Sequence, residues 1–330
     1  MSRGYDDFDI DDFRDPTSAS QREVGRGASS EEGGRSVLQR IHREEERADG
    51  LYRDSYERPT RERPVLPREV RVREILSERV RTNYSDRDKD YALRDSEIHA
   101  LSEIGKFRVV ATGDLAEFAY NRDHSRMEND VENLVRQGLV KHTQISDTEY
   151  NPRQVVTLTK QGQRLLARGK VVRPDQATYY GLKKPKEATH DTDLYRLYYK
   201  AADEIEARGG QVLRVMLDYE IKEELYARLA RAARDKTRDS SDIRKSIAQS
   251  YHLKVDGGRI PIPDLRVEYL KENDNEIQHR DLELATDHYR PRGLAQKARA
   301  GFRIYARPQE TDRLRRIRDD QELSAAIFRL

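Results

Sequence analysis

Between Pro263 and Asp287 the chain reads PDLRVEYLKENDNEIQHRDLELATD, and two alternating runs in it each put acids on the face that their apolar residues avoid. Leu265, Val267 and Tyr269 alternate with Asp264, Arg266 and Glu268. Leu282, Leu284 and Thr286 alternate with Asp281, Glu283 and Ala285. KENDNE between them has the composition of a turn. A hairpin folded symmetrically about Asn273-Asp274 sets Arg266 opposite Asp281, an ordinary charge pair, and Asp264 opposite Glu283. Directly opposed side chains have Cβ atoms about 5 Å apart, so these two carboxylates repel unless a cation or a proton lies between them. Two hard oxygen donors, completed by water and a substrate phosphate, suit Mg²⁺. The alternative is a pair of solvated acids on an exposed sheet face, and a longer turn or a bulge would break the register altogether. Lys297 follows, one helical turn from both Leu294 and Gly301, at the border of an apolar side made of Leu294, Ala298, Gly301 and Tyr305. From there its ammonium reaches over the sheet edge toward a phosphate or an attacking water, or it snorkels into solvent.

The elements that must carry these residues are legible to different degrees. Residues 1–66 hold few core formers and are rich in Gly, Ser, Pro and alternating charge, so they cannot offset their own ordering entropy and read as a disordered charged tail. Within it Tyr5–Phe13, YDDFDIDDF, interleaves aromatics with acids, a pattern of either a docking motif for a protein partner or plain acidic tail. Val70, Ile75 and Val80 suggest a leading helix over 67–81. Next, RDSEIHALSEIGKF puts Ile98, Leu101 and Ile104 on one helical face behind Asp95 or Ser96 as a cap. A second helix follows with Leu115, Phe118 and Ala119 inward behind Thr112, then a third with Met127, Val131, Leu134 and Val135, stopped by Gly138. Two β-branched runs, LVKHTQI and RQVVTLT, flank a polar turn, and Thr159 caps a last helix.

Helix, helix, helix, hairpin, helix is the winged-helix order, and VVTLTKQGQRLL looks like the strand-to-helix corner of many winged-helix regulators. Residues 67–170 are therefore expected to form a winged-helix DNA-binding domain. In that fold the third helix usually enters the major groove. Its outward His124, Arg126, Asn129, Asn133 and Arg136 can bond bases or phosphates, and Lys141, His142 and Arg153 on the hairpin could meet the backbone of double-stranded DNA. Glu128, Asp130 and Glu132 on the same helix fit instead an ordinary solvated face or a protein-binding winged helix.

Residues 171–189 read as a linker carrying Lys183, Lys184 and Lys186. Beyond it, Leu194, Leu197, Tyr198, Ala201 and Ile205 form a helical stripe ended by Gly209-Gly210, QVLRVMLDYE is a strand, and 221–250 is helical with Leu225, Leu229, Ile243 and Ile247 as anchors. PRGLAQKARAGFRIYA reads as one helix, and DRLRRIRDDQELSAAIFRL as a further helix with a terminal apolar segment. Helix, strand, insert, hairpin with acids, helix is the order of the PD-(D/E)xK nuclease-like core, so residues 190–330 are expected to be a restriction-endonuclease-like α/β domain and the whole chain α+β.

Three pieces together resemble the replication-relaxation family: the winged helix, HD opening a helix, and IPDLRVEY with LELATDHYRPRGLAQKARAGFRIY. The resemblance spans about residues 94–310. It implies a plasmid or mobile-element protein tied to DNA relaxation in replication, or to mobilisation, with His190, Asp191, Asp264, Glu283 and Lys297 as the residues carried over. The nuclease pattern places a Lys two residues after the Glu, where this chain has Ala285, and Lys297 would stand in for it.

Composition sets limits. Of 330 residues, 38% are charged and 35% hydrophobic, with a net charge of +2, so any nucleic-acid surface must be a local patch. With no Cys, disulfides and cysteine-held zinc are excluded. No apolar run approaches the roughly 18 residues of a membrane span, which leaves a soluble, cytoplasmic protein as the expectation. Three functions compete; the first two are metal-dependent DNA nicking, and a non-enzymatic winged-helix regulator or replication accessory protein with an inactive core. A third is a protein-assembly module.

Overall fold

The computed structural model describes residues 66–330 apart from 88, 147–151, 183–186, 235–238, 273, 275, 287–288 and 321–326. The expectations for the tail, including Tyr5–Phe13, and for Lys183, Lys184 and Lys186 therefore lie outside the described residues. Val65–Leu330 hold together as one compact unit of mixed α and β structure.

The chain opens with helix α1 (Arg68–Ser77), which buries Val72. Val80 is 69% exposed and outside the helix, contrary to the expected stripe. A hairpin that the sequence did not suggest follows, β1 (Arg81–Asp86) and β2 (Lys89–Arg94), paired antiparallel. Its turn contains Arg87 at φ +56°, and its burial pattern is almost wholly exposed along β1, so no apolar alternation announces it.

Then come α2 (Asp95–Lys106), β3 (Val110–Ala111), α3 (Thr112–Ala119), α4 (His124–Arg136), β4 (Val140–Ser146), β5 (Pro152–Leu158) and α5 (Lys160–Arg168). The strands form a sheet in the order β3-β5-β4, with the short β3 an addition to the expected elements. The caps differ in part from expectation. Neither Asp95 nor Ser96 caps α2. Instead Glu97 accepts from the Arg94 N–H at 2.7 Å. Thr112 is inside α3 and makes no cap bond. Thr159 does cap α5, accepting from the Gly162 N–H at 3.1 Å. Asp123 caps α4 through the Arg126 N–H at 2.9 Å, and Gly138 ends that turn at φ +73°.

The second half contains α6 (Ala188–Glu206), β6 (Gln211–Leu217), α7 (Asp218–Ala232), α8 (Ser240–Ser250), β7 (Leu265–Leu270), β8 (Ile277–Ala285), α9 (Pro291–Ala300), β9 (Arg303–Ala306), α10 (Pro308–Asp320) and β10 (Ile327–Arg329). Five strands line up as β10-β9-β8-β7-β6. β6, β7 and β8 are antiparallel neighbours, while β9 and β10 add in parallel. Tyr305 thus sits on β9 and not on the preceding helix, because Gly301 at φ +93° ends α9 and turns the chain.

Both faces of this sheet are covered. Leu265, Val267, Leu282, Leu284 and Tyr305 pack with Leu194, Leu197 and Tyr198 of α6. On the other face Met216 and Phe302 pack with Ile221 and Leu225 of α7 and Ala248 of α8, and Ala285 and Ile304 with Leu294 of α9 and Leu314 of α10. The solvated-face alternative for the hairpin acids is therefore wrong. Glu283 is 0% exposed and Arg266 3%.

The expected linker is also a packed element. Gln176 hydrogen-bonds both backbone groups of Val215, at 3.0 and 2.9 Å, on edge strand β6. Tyr179 donates its N–H to Gly105 at 2.8 Å and its hydroxyl to Glu220 at 2.9 Å. Buried backbone groups demand such partners. α6 is the reason the halves share one core: Phe107 meets Tyr195 edge-on at 5.0 Å, and Phe118 stacks on Tyr199 at 4.7 Å.

Candidate functional site

The register expected for the hairpin is the one observed: Arg266 pairs with Asp281 and Leu265 with Leu282. Arg266 grips Asp281 in a two-pronged bond at 2.6 and 2.8 Å and donates to the Tyr251 carbonyl at 2.6 Å. Buried charges need such pairing. Asp264 stands one residue before β7, and its N–H donates to Glu283 Oε2 at 3.3 Å. The two carboxylates therefore meet at the end of the central strand pair.

Three further groups close on them. Lys297 Nζ lies 2.9 Å from Glu283 Oε1 and 3.1 Å from Oε2, and also donates to the Ile262 carbonyl at 2.6 Å. Tyr289 donates its hydroxyl to Glu283 Oε1. His190 Nε2 lies 3.5 Å from Asp264 Oδ2, which accepts from the Leu284 N–H at 2.9 Å. His190 rides on the first turn of α6 beside Asp191, with Nδ1 3.8 Å from its carboxylate. Four of the five residues named from the sequence thus form one cluster: His190, Asp264, Glu283 and Lys297. Asp191 borders it, 3.6 Å from the Arg108 guanidinium.

The electrostatics follow from this packing. Burial and the neighbouring Asp264 raise the Glu283 carboxyl to about 7, against the pull of Lys297 and Tyr289. Burial pushes Asp264 up as well, but His190, Lys297 and the Leu284 N–H outweigh it and hold the carboxyl below its usual range. Burial lowers His190, and Asp264 and Asp191 overcome that, so the imidazole is held well above its ordinary value. A carboxylate pair with pKa values pushed apart, next to two cations, is an arrangement met at reactive sites.

The sequence reading missed Tyr289, Arg108 and Lys222. Tyr289 lies six residues beyond Glu283, and no periodicity marks it. Lys222 pairs with Asp218 at 2.7 Å, and the Asp218 N–H donates to the Asp264 carbonyl at 3.0 Å. The Arg108 guanidinium sits 3.6 Å above the Tyr219 ring.

Mg²⁺ keeps several waters and is usually held by one or two carboxylates plus substrate phosphate. Asp264 and Glu283 fit that donor chemistry. No group of three or more His, Cys, Asp or Glu suited to a metal exists among the described residues. Lys297 is the cation that Glu283 faces in the structure.

The residues expected to touch DNA divide into two sets. His124, Asn129 and Arg136 on α4 and Lys141 and His142 on β4 are exposed. Three others are committed inward. Arg126 bonds Asp130 at 3.4 Å and Ser96 at 3.2 Å. Asn133 donates to Glu97 at 2.5 Å. Arg153 holds Asp193 at 3.0 Å and Thr192 at 3.1 Å, tying β5 to α6. The physical reason is that Glu97 and Asp130 are fully buried and Asp193 nearly so, and each carboxylate requires donors.

Comparison with protein-family models, with characterised proteins and with solved structures gave no match. No helix among the described residues is long and apolar enough to cross a membrane.

Proposed function

We propose that this chain is a DNA-binding protein whose site at the head of β7 and β8 cleaves phosphodiester bonds, acting in relaxation, replication or mobilisation of a plasmid or other mobile element in the cytoplasm. The observation that carries the reading is Lys297 Nζ at 2.9 Å from Glu283, beside Asp264, where a nuclease-like core needs its lysine. Residues 190–330 are on this reading a restriction-endonuclease-like domain. The β3-β5-β4 sheet with α2 to α5 is a winged helix that presents α4 to double-stranded DNA.

Each residue then has a task. His190 and Lys297 bring two cations to the place where negative charge builds up on a phosphate during cleavage. Asp264 and Glu283 would hold Mg²⁺, which when bound polarises a phosphate oxygen as a Lewis acid. Asp191, through Arg108, fixes the first turn of α6 and with it the imidazole.

Purified protein incubated with negatively supercoiled plasmid, with and without Mg²⁺, tests this directly. Nicked product should appear only with metal and should vanish in Asp264→Asn. If parent protein binds the plasmid but never nicks it, the cleavage reading fails.

One second reading has an observation in its favour. Arg126 and Asn133 are turned inward, while Glu128 and Glu132 on α4 are exposed. That distribution suits an accessory protein whose winged helix contacts another protein and whose nuclease-like core is inactive. The same assay, with a DNA-binding measurement beside it, separates the two.

A further inference from the structure

We propose that the cavity between α1, α2, α6 and β6 binds a small organic acid, a molecule with one carboxylate, a second polar group and an apolar body. The cavity shares no residue with the cluster at the head of β7 and β8, so it stands apart from the cleavage reading.

The cavity has a volume of about 330 Å³, within the range of small-molecule sites. Its apolar lining includes Val72 and Ile75 of α1, Ala202 of α6 and Val212 of β6. The charged lining sets Arg68, Arg71, Lys106 and Arg214 against Glu103 and Glu206. Arg71 holds Glu206 at 2.8 Å, and Lys106 holds Glu103 at 2.7 Å. Arg68 and Arg214 take their acids, Asp203 and Glu220, from outside the lining. Cations therefore outnumber acids around the space, which favours an anion.

Two nitrogens on side chains of this lining are buried and have no hydrogen-bond partner among the described residues. Arg214 bonds Glu220 through Nη2, but its Nε–H bonds nothing. An arginine nitrogen can only donate, so it needs an acceptor oxygen. The other is His99 Nε2 on α2. Burial lowers the His99 imidazole, and Lys106 and Arg71 add to that against the pull of Glu103, so the ring is uncharged at neutral pH. A neutral imidazole nitrogen donates or accepts according to its tautomer, and a hydroxyl can answer either. Buried polar groups are ordinarily paired, and leaving one unpaired costs stability. Two such nitrogens around one cavity point to a ligand that supplies the missing partners. Its carboxylate accepts from the Arg214 Nε–H, its hydroxyl pairs with His99 Nε2, and its body lies against the apolar lining.

The test follows thermal unfolding of the full chain with 4-hydroxybenzoate as the probe. A ligand of the folded state raises the melting temperature as its free concentration grows, and the parent should show that rise. Benzoate, which lacks the hydroxyl, should bind several-fold more weakly. 4-Hydroxybenzyl alcohol, which lacks the carboxylate, should bind at least about tenfold more weakly, the scale of a lost hydrogen bond to a charged group. Inorganic phosphate should give no rise. His99→Leu removes the unpaired nitrogen, so it should melt no lower than the parent yet bind 4-hydroxybenzoate no better than benzoate. Ser102→Leu adds bulk to the lining from a partly exposed position on α2 and should abolish the rise. No rise in the parent up to about 10 mM probe, where a millimolar site is nearly filled, overturns the proposal. A rise unchanged in Ser102→Leu overturns it by placing binding elsewhere, and a rise matched by phosphate overturns the organic acid. Should either variant fail to fold, the His99 imidazole resonances of the parent decide: they should move on titration with the probe, and unmoved resonances overturn the site.

Discussion

Lys297 and Glu283 belong to different elements, α9 and β8, and their charged atoms lie 2.9 Å apart with the carboxylate wholly buried. Ala285 packs against Leu294 and Ile304, so a small residue there lets α9 settle on the sheet. The cation that the carboxylate needs then arrives from α9 itself.

Removing that cation should be costly. Lys297→Met leaves Glu283 buried without its main counter-charge, and breaking such a pair costs about 3 kcal/mol. Urea unfolding at pH 8 checks it. A loss under about 0.5 kcal/mol, the scale of an ordinary surface change, would show that the pair contributes little.

If the carboxylates hold Mg²⁺, the ion stabilises the fold by an amount that grows with its free concentration. The parent melting temperature should rise on Mg²⁺ titration, and Asp264→Asn should lose that rise. Because Lys297 occupies the Glu283 oxygens, Lys297→Met should respond at lower Mg²⁺ than the parent. A flat parent response up to about 10 mM, well above where Mg²⁺ sites usually fill, would leave the pair without a metal role.

The division between exposed and inward residues predicts two kinds of variant. Arg136→Ala and Lys141→Ala should each weaken DNA binding and lower the slope of log affinity against log salt by about one. Arg126→Ala and Arg153→Ala should instead lower stability, since they strip donors from the buried Asp130 and Asp193. Salt-dependent binding curves and thermal melts of all four decide it. Parental affinity in the first two would move any DNA surface elsewhere.

Glu103 gives a pH dependence with a definite sign. It is buried, which by itself raises its carboxyl, but Lys106 at 2.7 Å, His99 and Tyr199 lower it to about 2, from 4.5. A depressed acid contributes stability that is present above its unfolded value and lost as pH falls through the folded one. The contribution, on the order of 3 kcal/mol, should therefore disappear between pH ~4.5 and ~2. Glu103→Gln should be less stable than the parent at pH 7, and the gap should close across that window in acid melts. A gap independent of pH would assign the loss to packing.

Local pattern determined much of this protein. Alternation between Asp264 and Tyr269 and between Asp281 and Ala285 was enough to set strand faces, because a one-residue slip would turn every side chain over, and folding symmetrically about Asn273-Asp274 then set the pairing of Arg266 with Asp281. The stripe from Leu194 to Ile205 predicted α6 in the same way, and spacing on the α9 segment put Lys297 at its border. What covers a face is a long-range fact, and the sequence held no signal for it. That α7 to α10 bury the acid face of the sheet, that Gln176 fastens the presumed linker to β6, and that Arg153 turns to Asp193 were decided by packing between segments far apart in the chain. β1 and β2 escaped notice because β1 is mostly polar and exposed and the alternation in β2 is limited to Tyr91 and Leu93, too short a run to mark a strand. Tyr289 escaped for a related reason: a lone tyrosine after a strand has no periodicity, and only the folded chain sets its hydroxyl on Glu283.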